Sequence, residues 1–326
     1  MNLSIRPYKP GDEESISKLL TRNTPYLRDH RFWVWINRIL PVNPSLIAVI
    51  ADKNNVIQGH TAIMPYEICV GEKIIKCGMS YHTLIDKDYR DQDLILPLLE
   101  LADKLADDAG IEFHYGFPNK NARPIYKLPN HYKVEKFLSL EMDSCNVKCN
   151  DNDSTITFEP INEIDYSFLY SLNQVLDSHS KEKVEIRRNL QYYSARYFHH
   201  PQGLYKSYKI FIQAKFVGCL ITKLYDKEDG KYFHIIDLLV DDHKIDYKQL
   251  FNAILANFAK TCDKFSFWKI NENIKNILLE YGFQENGFDT FLGLCFLPNN
   301  KISETEKELL LDFHNWRLVM GDSDAF

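Results

Sequence analysis

The sequence has no feature that would hold the chain in a membrane or export it. Among its 326 residues, no apolar run approaches the roughly 20 residues of a bilayer-spanning helix. Charges at Arg6, Lys9 and Asp12 interrupt the N-terminal stretch, so we expect no signal peptide. The seven cysteines include no CxxC pair, and no histidine cluster flanks the closest two. We therefore expect a cytoplasmic protein with reduced thiols, no membrane partner and no metal.

The charge pattern also lacks an excess of basic residues. Lysine and arginine total 39 against 45 aspartates and glutamates, which gives a net charge of −6 with both signs interspersed. A nucleic-acid partner needs a basic face, so we expect none. Apolar residues make up 45% of the chain and aromatic residues 13%, which is enough for substantial packed cores. At this length two domains are the natural organisation.

One stretch, residues 74–137, organises the rest of the chain. Met79–Ile85 alternates apolar and polar residues, which predicts a strand, and Asp86–Gln92 is a polar turn. Leucines at steps of three and four along Leu94–Ala109 predict a helix that ends at Gly110. Ile111–Phe117 is a second short strand. This order predicts an α/β fold with a turn at the carboxyl end of a strand.

That turn is a candidate anion site. The backbone N–H groups that open the helix, between Tyr89 and Ile95, have no partners inside it. With the helix dipole they favour a phosphate or pyrophosphate, and Arg90 lies beside them. Many strand–turn–helix units bind nothing, so a purely structural turn remains the alternative.

The stretch resembles the core of the GNAT superfamily of acyl-coenzyme A N-acyltransferases. The family's pyrophosphate motif is Gln/Arg-x-x-Gly-x-Gly/Ala after a strand, and the chain keeps the leading Arg90 but has Asp93 and Ile95 in place of the glycines. An aspartate there would repel phosphate unless it turns away. The resemblance implies coenzyme A as cofactor, bound by Leu84, Ile85, Arg90, Asp91, Gln92, Asp93, Leu94, Ile95 and Asn119.

A second motif of the family follows the next strand. Asn119-x-x-Ala122-x-x-x-Tyr126 matches Asn-x-x-Ala-x-x-x-Tyr. In the family this tyrosine lies by the coenzyme sulfur, so the resemblance implies that Tyr126 contacts the cofactor and protonates the leaving thiolate. The alternative is a packed tyrosine with its hydroxyl in water.

The second half of the chain repeats the first in outline. A shift to Asn, Asp, Ser and Lys over Ser144–Thr155 predicts a boundary, with domains 1–148 and 149–326. The repeated elements are a hairpin over 208–224, a strand over Phe233–Val240, a helix over Tyr247–Thr261 and a strand over Phe265–Trp268.

The second half lacks the cofactor features of the first. Val240–Asp246 has no arginine followed by glycines and carries two aspartates after the strand, and Leu278 stands at the position of Tyr126. We therefore predict tandem GNAT-like domains with mixed α/β sheets. The first binds acyl-coenzyme A, and the second is degenerate and contributes to the acceptor site.

Histidines on the two central strands are candidate bases. His82 and His114 titrate in the range needed to take a proton from an attacking ammonium, although each also fits a packed histidine, and water alone is a further alternative. Aromatic and basic residues elsewhere are candidates for stacking on a base or binding a diphosphate. Those proposed to contact the acceptor are Tyr81, His114, Trp35, Arg196, His199, His200 and Tyr205, with a structural role as the alternative for each. The acidic end, Asp322 and Asp324, is expected to be a solvated tail, with binding of an amine as the alternative.

The whole length resembles two-domain bacterial N-acyltransferases that act on nucleotide-linked amino sugars such as dTDP-3-amino-3,6-dideoxyhexoses. The resemblance implies a small-molecule nucleotide-sugar partner in surface polysaccharide synthesis and leaves a homodimer open. It rests on Tyr115-Gly116-Phe117-Pro118-Asn119, the degenerate second half and the Gly321–Asp324 ending. Two alternatives remain: an aminoacyl-tRNA-dependent peptidoglycan bridge transferase, and a non-catalytic binding protein.

Overall fold

The computed structural model describes residues 3–24, 28–41, 43–90, 92–124, 133–147, 155–178, 183–268 and 272–323, with backbone alone at 133, 137, 138 and 286–290. The chain forms two compact units. Unit 1 comprises Met1–Glu135 and Phe291–Leu311, and unit 2 comprises Lys136–Thr290 and Asp312–Phe326. Packing therefore places residues 136–147 with unit 2, whereas composition predicted a boundary at 148. The functions assigned to the two halves stay predictions.

The elements are numbered along the chain. The strands are β1 (Ser4–Pro7), β2 (Leu46–Ala51), β3 (Ile57–Val70), β4 (Lys73–Ile85), β5 (Phe113–Gly116), β6 (Lys133–Asp143), β7 (Ile156–Pro160), β8 (Val184–Ile186), β9 (Lys206–Ile212), β10 (Lys215–Lys227), β11 (Gly230–Val240), β12 (Lys264–Trp268), β13 (Gln284–Phe296) and β14 (Trp316–Arg317). The helices are α1 (Glu13–Asn23), α2 (His30–Val34), α3 (Ile95–Asp108), α4 (Tyr166–Ser178), α5 (Leu190–Tyr193), α6 (Tyr247–Phe258), α7 (Glu272–Glu280) and α8 (Glu304–Leu311). Short π-helical segments, Trp35–Ile39 and Ser194–Phe198, continue α2 and α5.

Unit 1 is a mixed sheet in the order β1, β2, β3, β4, β5 and the end of β13. All its pairs are antiparallel except β4 with β5, which is parallel. The last strand comes from far along the sequence, since Gly293–Phe296 of β13 pairs with β5. The predicted strand–turn–helix–strand order of this region is confirmed.

Unit 2 repeats this arrangement with β6, β12, β11, β10, β9 and β7 in order. Its single parallel pair along this path is β11 with β12, in the place that β4 and β5 hold in unit 1. The antiparallel strand beside β12 is β6, which precedes the rest of unit 2 in the sequence. The repeated order of elements predicted from the second half is confirmed.

Each sheet is covered by an amphipathic helix. In unit 1, Leu98, Ala102 and Ala106 lie at four-residue spacing on α3 and pack with Ile50 and Ile63 of the sheet. In unit 2, α6 packs in the same way through Leu250, Phe251 and Ile254. Full burial of one such large side chain stabilises the fold by about 1.5–3 kcal/mol. Among the described residues, every helix is too short or too polar to cross a membrane.

Candidate functional site

The strongest candidate site in unit 1 lies where two parallel strands part. The pairing of β4 with β5 runs from Cys77 and Phe113 to Ser80 and Gly116, and the described residues show no pair beyond it. Beyond Ser80, β4 continues to Ile85 and pairs there with β3, along its other edge. Parallel strands that diverge leave backbone groups and side chains available to a ligand at the carboxyl edge of the sheet.

A β-bulge re-aims side chains at this place. Ala62 pairs with Tyr81 while His60 pairs with Leu84, so β4 carries one more residue than β3 at His82–Thr83. His82 has a φ of 51°, in the left-handed region that few non-glycine residues occupy. Such strained positions are enriched at functional sites, and this bulge lies directly after the last β4–β5 pair.

His82, the predicted base, is uncharged at neutral pH. Burial, the cation of Arg28 and the ring of His60 hold the pKa of His82 well below its ordinary value of 6.5. Its ring centroid lies 6.0 Å from that of Phe32, over which Arg28 stacks at 4.2 Å. His60 Nδ1 lies 2.9 Å from the backbone oxygen of His82. The neutral imidazole can accept a proton, although the low pKa makes it a weak base.

The turn before α3 contains a non-glycine residue with a positive φ. Asp93 occupies the first glycine position of the family pattern and has a φ of 51°. Glycine is favoured at such a position because an L side chain resists positive φ, and aspartate is among the few residues that tolerate it. Helix α3 then begins at Ile95, and Leu94 at its N-cap makes no side-chain cap. The turn before α3 therefore contains a left-handed residue at Asp93, and its contact with an anion stays a prediction.

Arg90 makes structural contacts in this turn. Its Nε donates to the backbone oxygen of Ile85 at 3.0 Å, and its Nη2 donates to Asn23 Oδ1 at 3.3 Å. It ties the end of β4 to α1 and leaves part of the guanidinium exposed. The predicted coenzyme contacts of Leu84, Ile85, Arg90, Gln92, Asp93, Leu94 and Ile95 stay predictions, and Asp91 lies outside the described residues.

Asn119 organises the segment after β5. Its Oδ1 accepts from the backbone N–H groups of Asn121 and Ala122, each at 3.0 Å. This is the pattern of an asparagine that begins a helical turn. The turn accounts for an asparagine at this position of the motif without a ligand. Tyr126, the predicted proton donor, lies outside the described residues.

Tyr81 and Trp35 are deeply buried in unit 1. The Tyr81 hydroxyl donates to Asn37 Oδ1 at 2.6 Å and lies 2.9 Å from Ser45 Oγ. Trp35 packs on Phe32, with ring centroids 5.5 Å apart. These contacts hold the segment after α2 against β4, so both residues help to fix the strand that carries His82. Their predicted contact with the acceptor stays a prediction.

His114 lies inside a polar network that sequence reasoning missed. It is 3% exposed, with Nε2 3.0 Å from Asp103 Oδ1 and Nδ1 3.2 Å from Ser80 Oγ. Burial alone would lower its pKa, but the Cys295 side chain and the Asp103 carboxylate raise the pKa of His114 to about 10. A protonated histidine cannot accept a proton, so this raised pKa weighs against His114 as the base, and its role stays a prediction. An aspartate eleven residues before a strand histidine was the sequence signal available.

The same network has the composition of a metal site. Ligand atoms of Asp103, His114 and Cys295 lie within 4.8 Å of one another. However, His114 Nε2 lies within hydrogen-bond distance of Asp103 and Nδ1 within hydrogen-bond distance of Ser80, so the ring has a partner at each nitrogen without a metal. The arrangement therefore fits a buried imidazolium better than a metal centre.

A broad cleft of about 830 Å³ opens beside α1 and α2. Charged side chains of both signs line it, including Lys18, Arg22, Arg28 and Asp29. Arg22 is engaged there, because its Nε donates to Asp86 Oδ2 at 2.6 Å. Arg28 links the cleft to the bulge, since its charge acts on His82. Arg28 is therefore a residue of the cleft whose charge also acts on the candidate base.

In unit 2, buried side chains occupy the position that corresponds to the β4 bulge of unit 1. Thr222 pairs with Ile235 and Ile221 with Asp237, so β11 carries an extra residue at Ile236, as β4 does. Asp237 is wholly buried there. Its Oδ2 accepts from the Tyr193 and Tyr197 hydroxyls at 3.1 and 2.8 Å.

Arg188 and Asp322 extend this network, and the acidic chain end is not a solvated tail. Arg188 Nη2 lies 2.5 Å from Asp322 Oδ2, and Asp322 is 4% exposed. The prediction that Asp322 is solvated is therefore wrong, because a buried arginine binds it. Asp324 lies outside the described residues. The sequence signal for the network was the single aspartate in the apolar run IIDLLV.

The remaining predicted acceptor residues cluster within unit 2. Arg196 is 2% exposed and donates to the backbone oxygen of Ser323 at 2.6 Å. Tyr205 contacts His200, with ring centroids 5.2 Å apart, and lies 6.0 Å from the Arg196 guanidinium. His199 Nδ1 lies 3.0 Å from Ser194 Oγ. The structure thus brings Arg196, His200 and Tyr205 together, while their role toward an acceptor stays a prediction.

Comparison with known proteins gives a likeness in structure. No protein-family model and no curated protein matches the sequence. One similar solved structure is a conserved protein of unknown function from Enterococcus faecalis V583, designated a probable N-acyltransferase, with 6% identity, a TM-score of 0.68, and coverage of 91% of this chain and 73% of that one. Another is a GCN5-related N-acetyltransferase from Anabaena variabilis ATCC 29413, with 15% identity, a TM-score of 0.67 and the same coverage. At these identities the likeness shows the fold alone: the chain has the mixed α/β fold of GNAT-type structures over nearly its whole length.

Proposed function

We propose that the protein is an N-acyltransferase that moves an acyl group from acyl-coenzyme A to an amine. The observation that carries the proposal is the parting of β4 and β5, together with the bulge at His82 on β4 and the left-handed Asp93 before α3. The opening accommodates an extended thioester arm, and the turn supplies backbone N–H groups for its pyrophosphate. The fold shared with the two acyltransferase structures supports the same reading.

The chemistry assigned to the chain is modest. Acyl-coenzyme A supplies an activated carbonyl, which the amine attacks while the thiolate leaves. The ammonium proton passes to His82, which is neutral and half-buried, or through one water. We assign Tyr126 as the proton donor to the leaving thiolate because it matches the tyrosine of the family motif.

We propose the amine of a nucleotide-linked sugar, with dTDP as the nucleotide, as the acceptor. The cleft beside α1 and α2 is large enough for such a ligand. Arg28 offers a cation for a diphosphate, Asp29 offers a carboxylate for an amine, and the charge of Arg28 also acts on His82. Unit 2 has filled the position matching its own bulge with Asp237 and two tyrosines, so we assign the coenzyme to unit 1.

Two measurements test this function. Calorimetric titration with coenzyme A should show one site per chain. Mass spectrometry should then detect acyl transfer from acetyl-coenzyme A to members of a panel of amines that includes dTDP-linked 3-amino sugars, their UDP counterparts and free amino sugars. Coenzyme A binding without transfer to any amine would favour a non-catalytic binding protein. Absence of coenzyme A binding would refute the proposal.

A further inference from the structure

Three side chains from three elements of unit 1 surround His114 on β5. Ser80 comes from β4, Asp103 from α3 and Cys295 from β13, where it is the cross-strand partner of His114. His114 and Cys295 are almost wholly buried, whereas Ser80 is half-buried and Asp103 is 22% exposed. The network therefore runs from the helix side of the sheet to Ser80, whose pair with Gly116 is the last before β4 and β5 part.

The charge on His114 decides which way the Ser80 proton points. An ionised carboxylate only accepts, so the 3.0 Å contact with Asp103 places a proton on Nε2. If Nδ1 is also protonated, it donates to Ser80 Oγ across 3.2 Å, and the single hydroxyl proton of Ser80 remains for another acceptor. If Nδ1 is bare, Ser80 must donate to it instead. The pKa of about 10 for His114 favours the first arrangement at neutral pH.

We infer that the Ser80 hydroxyl donates a hydrogen bond to the acyl oxygen of the bound thioester, with His114 and Asp103 as positioning residues that orient and polarise it. The inference rests on the proposed function and names a residue of the same site that no motif of the family marks. As the amine attacks, negative charge develops on that oxygen, and a fixed donor stabilises it more in the transition state than in the ground state. Ser80 transfers no proton in this step, because it only donates a hydrogen bond.

The arrangement has a consequence for pH. When His114 loses its Nδ1 proton at high pH, the Ser80 hydroxyl turns toward the ring and its hydrogen bond to the acyl oxygen is lost. The groups that face His114 are Asp103, Cys295 and Ser80, and replacing Asp103 by asparagine removes one of the two that raise its pKa. The descending limb of kcat against pH should therefore move to lower pH in Asp103→Asn. A residue that served only to hold the fold would not shift that limb.

The experiment compares wild type with Ser80→Ala, Ser80→Thr and Ser207→Ala. Ser207 is a matched control, since it is another half-buried strand serine and lies on β9 of unit 2. Ser80→Ala should lower kcat by about 10²-fold, the usual effect of removing one such donor, while the Kd for coenzyme A stays within twofold because that molecule has no acyl oxygen. Ser80→Thr, which keeps the hydroxyl, should recover most of the activity, and Ser207→Ala should change neither value.

The outcomes separate this inference from the proposed function. If wild type transfers acyl groups and Ser80→Ala keeps its kcat, the inference is wrong and the function stands. If wild type transfers nothing to any amine, both fall. A ¹⁵N spectrum of the imidazoles gives an independent result: His114 protonated on both nitrogens at pH 7 supports the inference, and a neutral ring there overturns it.

Discussion

Arg188 and Asp322, 134 positions apart in the sequence, form a buried ion pair with Nη2 and Oδ2 2.5 Å apart. Tyr192 also contacts this carboxylate, at 3.4 Å, and donates to the backbone oxygen of Gly321 at 3.1 Å. The pair fastens the end of the chain inside unit 2, next to Asp237, which lies at the bulge of β11. Unit 2 therefore has a buried polar network at the position that matches the bulge of unit 1.

Asp322→Ala should destabilise the protein strongly. Removing one member of a buried ion pair leaves the other charge uncompensated, which typically costs about 3–5 kcal/mol. Glu304→Ala is the control, because Glu304 pairs with Lys307 on the surface and is 85% exposed. Urea unfolding at pH 7 should show a large fall in midpoint for Asp322→Ala and almost none for Glu304→Ala. Equal midpoints for the two variants would contradict the buried pair.

Asp93→Gly should tighten coenzyme A binding. The change relieves a left-handed aspartate and removes a negative charge from a turn proposed to hold a pyrophosphate. Asn55→Gly is a matched control, since Asn55 also has a positive φ, of 59°, but lies in the β2–β3 turn. Both variants should be as stable as wild type or slightly more so, and calorimetry should find a several-fold lower Kd for Asp93→Gly alone. Equal affinity in all three proteins would remove Asp93 from the phosphate site.

His82→Asn should lower kcat with little effect on coenzyme A affinity. Asparagine keeps much of the volume and tolerates positive φ, so the bulge should persist while the proton acceptor is lost. A general base contributes about 10²- to 10⁴-fold. Since the pKa of His82 lies well below 6.5, the imidazole is already neutral at pH 7, and an ascending limb near or above neutrality belongs to the amine. Full activity in this variant would favour proton transfer through water.

Stability should depend on pH in two separate windows. The folded pKa of His114, about 10, exceeds its ordinary value of 6.5, so its contribution is fully present below pH 6.5 and is lost as the pH rises to about 10. The folded pKa of His60 is about 4, so its contribution is present above pH 6.5 and is lost as the pH falls to about 4. Unfolding midpoints measured across this range should fall on both sides, and Asp103→Asn should flatten the alkaline side only.

The sequence by itself determined the local elements and their repetition. Period-two runs predicted the strands and leucines at helical spacing predicted α3, because these patterns depend only on near neighbours. The departures from the coenzyme motif in the second half were visible in the same way, at Asp241, Asp242 and Leu278. The order of strands and helices along the chain then predicted a mixed α/β fold, and the structure and the two similar structures confirm this fold.

Tertiary structure decided what lies inside the two units. Composition gave no sign that Gly293–Phe296 pairs with β5, that Asp322 meets Arg188, or that Asp103 binds His114. Each of these contacts joins residues that are distant along the chain or lie on different elements. A charged residue can be buried only when a partner compensates for its lost hydration, and the sequence does not reveal that partner. The bulge at His82 likewise follows from a one-residue mismatch between β3 and β4, which appears only when the two strands are paired.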